Sequence, residues 1–402
     1  MSDFMRLYRF EWKKLWKKKI VWIAVALLLP LLALSISEPL LGTYYVDGEK
    51  VDSYVHIMQV DKGYQLALDG RAVDQQLLEE TMAAYSKIPP DIARYSTTEE
   101  YQMYARPYSA VFLFASAAMG MDYEAMRQWT VSETDFYARW QTAQQEHWNR
   151  QFVTAGEQQF WLEQMQRLKQ PLRYGYHEGY LILCSALYTI GTLLLVVITV
   201  CLSGFYPDEH TRRTDALLLC SKQGKRMLYW VKLAVGASFA AGLALLSSLF
   251  AFGLSFALYG AEGFDVAFQF VRARYLYPLS VGQAVLLGYG MLALGAVLMA
   301  VFVMVLSEFL HNSTATLAFN ISVIILTMFL NLPEQYRVVA QLWDYLPSNF
   351  IAVWGIFSDW TIPIAGHYLT DWQAVPVLYL GLILLLAFLG QYGYSRYQVQ
   401  GR

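Results

Sequence analysis

Apolar and polar positions alternate along this chain on three different scales. In residues 3–19, Phe4, Leu7, Tyr8, Trp12, Leu15 and Trp16 recur mostly three or four apart, with Arg6, Arg9, Lys13, Lys14, Lys17 and Lys18 on the other faces. That period predicts a cytosolic amphipathic helix lying in a membrane interface. Trp12 and Trp16 point down, and lysines such as Lys13 and Lys17 point toward anionic headgroups. Ile20–Ser37 is continuously apolar and long enough to span a bilayer. Residues 38–177 contain no spanning segment and hold 19 acidic and 12 basic side chains. From residue 180 the apolar scale returns, in runs at about 180–205, 229–258, 283–307, 314–332 and 375–395, each read as a span.

The predicted fold class is therefore membrane all-α. It has six transmembrane helices, an N-terminal interfacial helix and a mostly helical extracellular domain inserted after the first span. The predicted divisions are 1–19, 20–37, 38–177 and a five-span region 178–402 with a polar loop at 207–227. The early part of 38–177, with Gly42, Gly48, Gly63 and Gly70 and alternating stretches such as Val51–Val60, predicts a short hairpin. Helices are expected at about 73–87, 97–119, 121–147 and 155–169. The aromatic residues Tyr137, Trp140, Trp148, Phe152, Phe160 and Trp161 read as a core. The loops 260–281 and 333–374 are too aromatic for solvated linkers and are expected to pack on the membrane surface or against the large domain. A secretory signal reading of the first span, with Ser35 and Ser37 before a cleavage point, is the less favoured alternative because the basic lead is long.

Charge supplies the orientation. The amino-terminal segment holds seven Lys/Arg and the 207–227 loop five, while the short outward loops hold only Arg272, Arg274 and Arg337. The positive-inside rule then puts both termini in the cytoplasm and residues 38–177 outside. Composition agrees with a membrane protein: 56% of the 402 residues are hydrophobic and 15% charged, where soluble domains carry about 25% charged. A net charge of −2 gives no field for nucleic acid. The three cysteines, Cys184, Cys201 and Cys220, avoid the 38–177 region and provide neither a disulfide framework there nor zinc spacing.

Catalytic signatures are missing. Gly224-Lys225 lacks the rest of a phosphate-binding loop, no H-E-x-x-H or G-x-S-x-G occurs, and the six histidines are scattered, so no metal or cofactor site is expected in this chain. Ionisable residues near the membrane are few. Glu308 is expected at the cytosolic edge, His177 and Glu178 at the outer start of the second span, and Lys232 at the inner start of the third, where it can snorkel. Ser185, Thr189, Thr192, Thr199, Ser247, Ser248, Asn320, Ser322 and Thr327, with Gly236, Ala240, Gly242, Gly288, Gly290 and Gly295, read first as helix-packing positions.

The polar loop carries the strongest pattern. Phe205–Leu233 reads FYPDEHTRRTDALLLCSKQGKRMLYWVKL. It contains F-x-x-[DE]-E at Phe205–Glu209, T-D-x-L-L-L at Thr214–Leu219 and S-x-x-G-[KR]-[KR] at Ser221–Arg226. This succession resembles the loop between the second and third spans of type-2 ABC transporter permeases, and the tail HYLTDWQAVPVLYL…YSRYQVQGR more weakly resembles that of Gram-positive-type members. The resemblance implies the membrane subunit of a bacterial ABC exporter in the cell membrane, with the loop as the coupling helix that docks in a cleft of a separate cytosolic ATPase subunit. That subunit would bind ATP and Mg, and a second permease copy or paralogue would complete the dimer. Asp208, Glu209, Arg212, Arg213, Thr214, Asp215, Lys225 and Arg226 would form the polar part of that contact and Leu217, Leu218 and Leu219 its apolar centre. The amino-terminal helix would touch the ATPase as well. A peptide, drug or lipid-like substrate is expected. The alternative reading is a non-transporting receptor or scaffold whose outer domain senses a peptide or cell-wall ligand.

Overall fold

A computed structural model describes residues 3–89, 95–131, 135–211 and 226–396. Five of its helices are long and apolar enough to cross a membrane: α2 (Lys19–Ser37), α9 (Glu178–Leu202), α11 (Met227–Tyr259), α12 (Val281–Leu310) and α17 (Asp371–Arg396). α12 lies at the centre, packed against α9, α11 and α17. Large apolar side chains point out of the bundle along its perimeter, among them Leu27 and Leu31 on α2, Leu245 and Leu249 on α11, and Leu384 and Phe388 on α17. An exposed apolar belt of this extent is the surface that lipid, not water, solvates.

The remaining apolar helix, α13 (Ser313–Phe329), has 17 residues, or about 25 Å at 1.5 Å per residue. It joins α12 through a two-residue reversal. His311 closes α12 with φ 52°, and the Asn312 side chain caps α13 by accepting from the Ala315 N–H. The chain beyond α13 explains why this helix is short. α14 (Arg337–Asp344) turns Val338, Val339 and Leu342 outward. Two single-turn helices, α15 (Pro347–Phe350) and α16 (Val353–Ile356), then enter the bundle. Phe350, Ile351, Ala352 and Ile356 are fully buried there. A Cβ on Gly191, midway along α9, would lie 2.6 Å from Ile351, and one on Gly295, midway along α12, 2.8 Å from it. The two glycines are thus the surface into which a broken helix packs. Its backbone is satisfied locally, as in Ala352 N–H to Phe350 O at 2.7 Å and Phe357 N–H to Val353 O at 3.0 Å, which is what non-helical backbone inside a bundle requires.

The described residues of 38–177 form a layer on one end of the bundle. Strands β1 (Thr43–Val46) and β2 (Glu49–Ser53) pair through Asp47 and Gly48, both at positive φ, the backbone of a two-residue hairpin turn. The expected alternation over Val51–Val60 does not persist. Ser53 ends the strand and caps α3 (Tyr54–Ala67), so Val55 and Val60 are helical. Then come α4 (Gln75–Tyr85), α5 (Ser109–Met119), α6 (Tyr123–Gln128), α7 (Phe136–Arg150) and α8 (Ala155–Gln166). The single helices expected at 97–119 and 121–147 are each broken. Pro107 sits in a 3₁₀ turn ahead of α5, and Asp135 starts α7 anew by accepting from Tyr137 N–H. Trp140, Trp148 and Trp161 are buried as expected, whereas Phe152 is exposed at φ 53° and leaves the core.

Both aromatic loops dock on this layer. Trp140 Nε1 donates to Ala273 O at 3.2 Å and Gln144 Nε2 to Arg274 O at 2.5 Å. From the second loop, Trp360 Nε1 donates to Gln151 O at 3.0 Å, and Trp161 Nε1 donates back to Asp359 O at 2.7 Å. Glu157 is the strongest tie. It accepts from Arg337 Nη1 and Nη2, from Thr361 N–H at 2.9 Å and from the Thr154 hydroxyl at 2.7 Å. Burial alone would push its carboxyl up, but Arg337 and the Thr154 and Thr361 donors hold it down at about 2. A second hairpin, β3 (Thr361–Ile364) and β4 (His367–Thr370), leads into α17. The described residues are thus mostly helical, with two small hairpins.

Candidate functional site

The end of the bundle opposite this layer holds a compact charge cluster. It forms where helix α1 (Asp3–Trp16) meets the start of the polar loop. Leu7, Glu11 and Leu15 succeed one another at i, i+4 spacing, and α1 buries Glu11 and Leu15 against the bundle. Trp16 packs edge-on against Phe239 of α11, ring centroids 5.9 Å apart, and its carbonyl accepts from Trp22 Nε1 at 2.8 Å. Trp12 stacks on Tyr8 and meets Trp16 at a tilt of 58°. This seating turns Lys14 inward while Lys13 and Lys17 stay exposed.

A short helix, α10 (Pro207–Thr211), begins the loop after α9. It brings Glu209, 6% exposed, into the gap between α1 and α11. Glu209 pairs with Lys14, and Lys232 Nζ lies 2.6 Å from the same carboxylate oxygen. Glu11 closes the square at 3.5 Å from both Lys14 and Lys232. Two carboxylates thus balance two ammoniums. Beside them Lys18 pairs with Asp208 at 2.7 Å and reaches Gly204 O at 3.4 Å. Burial would lower the Lys14 ammonium, but Glu209 and Glu11 outweigh it and hold it above the ordinary lysine value.

Lys232 does not snorkel as the sequence suggests. It is wholly buried, with its ammonium over the rings of Phe205 and Tyr206 at 5.0 and 5.2 Å. The reason is that Glu11 and Glu209 give it a nearer counter-charge than headgroups would. One turn earlier, Tyr229 OH donates to Ala387 O of α17 at 2.8 Å, and its ring packs with Tyr206 and Tyr394. The cluster therefore joins α1, the turn that follows α9, α10 and α11, and Tyr229 extends it to α17.

Of the residues singled out for a partner contact, Glu209 lies inside the chain, Asp208 is half-exposed on Lys18, and Arg226 is exposed just before α11. Arg212, Arg213, Thr214, Asp215, Leu217, Leu218, Leu219 and Lys225 lie outside the described residues. Sequence reasoning passed over Glu11 and the inward roles of Lys14 and Lys18. Glu11 carried a signal, as an acid in the middle of an otherwise apolar helical stripe. Among the described residues no group of three His, Cys, Asp or Glu side chains is arranged to hold a metal ion. Neither a protein-family model nor a curated protein matches this chain.

Proposed function

We propose that this chain is the membrane-spanning subunit of an ATP-driven exporter of the type-2 ABC class. It would work as a pair of copies or with a paralogue, above separate ATPase subunits that bind ATP and Mg. The support is the conjunction of the polar-loop pattern with the charge cluster at that loop's base. A cytosolic partner that pushes on residues 207–226 displaces Asp208 and Glu209. Through Lys14 the push reaches α1, through Lys18 the start of α2, through Lys232 α11, and through Tyr229 α17. The load is shared among four helices rather than absorbed by a loose loop. Glu209 then acts as the inner pivot of the coupling element, with the outward contact left to Arg212, Arg213, Asp215, the Leu217–Leu219 ridge, Lys225 and Arg226.

In this reading α13 is the sixth span, both termini are cytoplasmic, and residues 38–177 with the two docked loops face outward in a bacterial cell membrane. The exported molecule is peptide, drug or lipid-like. A photo-reactive amino acid at Leu218, activated in the host cell, should capture a cytosolic protein whose sequence contains a phosphate-binding loop. Capture of no such protein, with the chain present in the membrane, would overturn the assignment. A receptor without an ATPase is the second reading, favoured by a cavity where the outer layer meets the span ends.

A further inference from the structure

That cavity has a volume of about 320 Å³ and is bounded by three parts of the chain. The layer contributes Tyr44, Tyr54 and Tyr101, the start of α9 contributes Glu178, and the end of α11 contributes Tyr259. Its size suits one small molecule or the end of a larger one.

The charges on its wall are already matched, with one exception. Arg106 Nε holds Asp61 at 2.7 Å, and its other nitrogens bond Gln102 and the Ile57 carbonyl. Lys62 is drawn toward Glu262 at 3.6 Å and the Tyr259 carbonyl at 3.4 Å. Glu178 is different. It faces the Gln65 amide, with Asp61 as a like charge nearby, and among the described residues it has no ion-pair partner. The tyrosine faces of this wall also accept cations. Lys62 Nζ lies 4.8 Å from the centre of the Tyr176 ring and the Arg106 guanidinium 5.4 Å from that of Tyr44. A carboxylate without a counter-ion among aromatic faces is the arrangement that recognises an organic ammonium.

We infer that the cavity between the outer layer and the ends of α9 and α11 binds an organic ammonium group. Its positive charge meets Glu178, and its alkyl substituents lie against Tyr54 and Tyr101. The same group could arrive on a soluble amine or on a lipid headgroup. Binding requires only this chain and is independent of an ATPase partner.

The test uses the full chain in a non-ionic maltoside detergent. Choline is the probe, and its uncharged isostere 3,3-dimethylbutan-1-ol the comparison, with binding measured by ligand-observed NMR. Choline should bind saturably and at least about tenfold more tightly than the alcohol, because only the ammonium gains the carboxylate and ring terms. Glu178→Gln keeps the shape and should lose about tenfold in choline affinity while eluting as a single species. If that variant fails to fold, the partly exposed Tyr54→Leu should lose affinity in its place. Equal binding of choline and the alcohol, no saturable choline binding, or wild-type affinity in a folded Glu178→Gln protein would overturn the inference. Competition of choline by phosphatidylethanolamine nanodiscs but not phosphatidylglycerol ones assigns a headgroup. Equal binding in both assigns a soluble amine.

Discussion

Lys13 and Lys14 are neighbours of the same type, yet the structure gives them opposite consequences. Lys13 is exposed, whereas Lys14 is paired with Glu209 and lies 3.5 Å from Glu11. Lys14→Met removes the ammonium and leaves two carboxylates facing Lys232 alone. At an effective dielectric constant of about 20, a unit pair some 3.5 Å apart attracts by roughly 5 kcal/mol. Much of that offsets desolvation, and the Lys14 side chain is still 31% exposed. The net loss should therefore fall between the surface and buried limits, at about 2–3 kcal/mol. Because about 1.4 kcal/mol is tenfold, the population with α1 undocked rises roughly 30- to 150-fold. Chymotrypsin reads this directly in nanodiscs, since cleavage at Tyr8, Phe10 or Trp12 requires α1 to open, and its rate tracks the open population. Removal of an amino-terminal tag should accelerate by that factor in Lys14→Met and by less than about twofold in Lys13→Met, an exposed site. Lys14→Met with Glu209→Gln restores charge balance and should return the rate to within about tenfold of wild type. Equal rates in the two single variants would refute the clamp.

Other contacts give three further outcomes. Glu157→Gln leaves Arg337 without its carboxylate and should destabilise the layer by about 3–5 kcal/mol at neutral pH, seen as earlier thermal aggregation. Because the Glu157 carboxyl is held below its ordinary 4.5, at about 2, its contribution is complete above pH 4.5 and is lost as pH falls toward 2, so the two proteins should converge there. Gly191→Ala forces a Cβ to 2.6 Å from Ile351 and should cost about 1–3 kcal/mol by overpacking. Adding Ile351→Ala should relieve the clash, and failure of that rescue would contradict the packing. In a protein lacking cysteine, Val338→Cys and Asp265→Cys should react with an impermeant maleimide from one side of the membrane and Lys13→Cys from the other. Labelling of positions 13 and 338 from one side would mean that α13 does not cross.

The long apolar runs were legible because a bilayer imposes length and composition before any tertiary contact forms. Their observed limits differ from the expected ones by only a few residues, as with Met227–Tyr259 against 229–258. Segment 347–357 was not legible. Its apolar residues are too few for a span, and its meaning depends on Gly191 and Gly295, more than fifty residues away in sequence. The short hairpin early in 38–177 was legible, but its end was not, because alternation over Val51–Val60 competes with a helix cap at Ser53; the Asp47-Gly48 turn was the stronger local cue. At the charge cluster, Lys232 was visible as an ion near the membrane. Its counter-ions come from two other elements, Glu11 on α1 and Glu209 on α10, and only the packing brings them together.

ATP hydrolysis by the gently solubilised complex tests the proposed function most directly. The tagged chain, withdrawn from its host in mild detergent, should carry a soluble partner whose hydrolysis vanadate stops. Leu217→Asp with Leu218→Asp should abolish both partner and activity while the chain remains in the membrane and monodisperse. A chain that elutes alone and inactive in several mild detergents, or a variant that retains full activity, would contradict the coupling account.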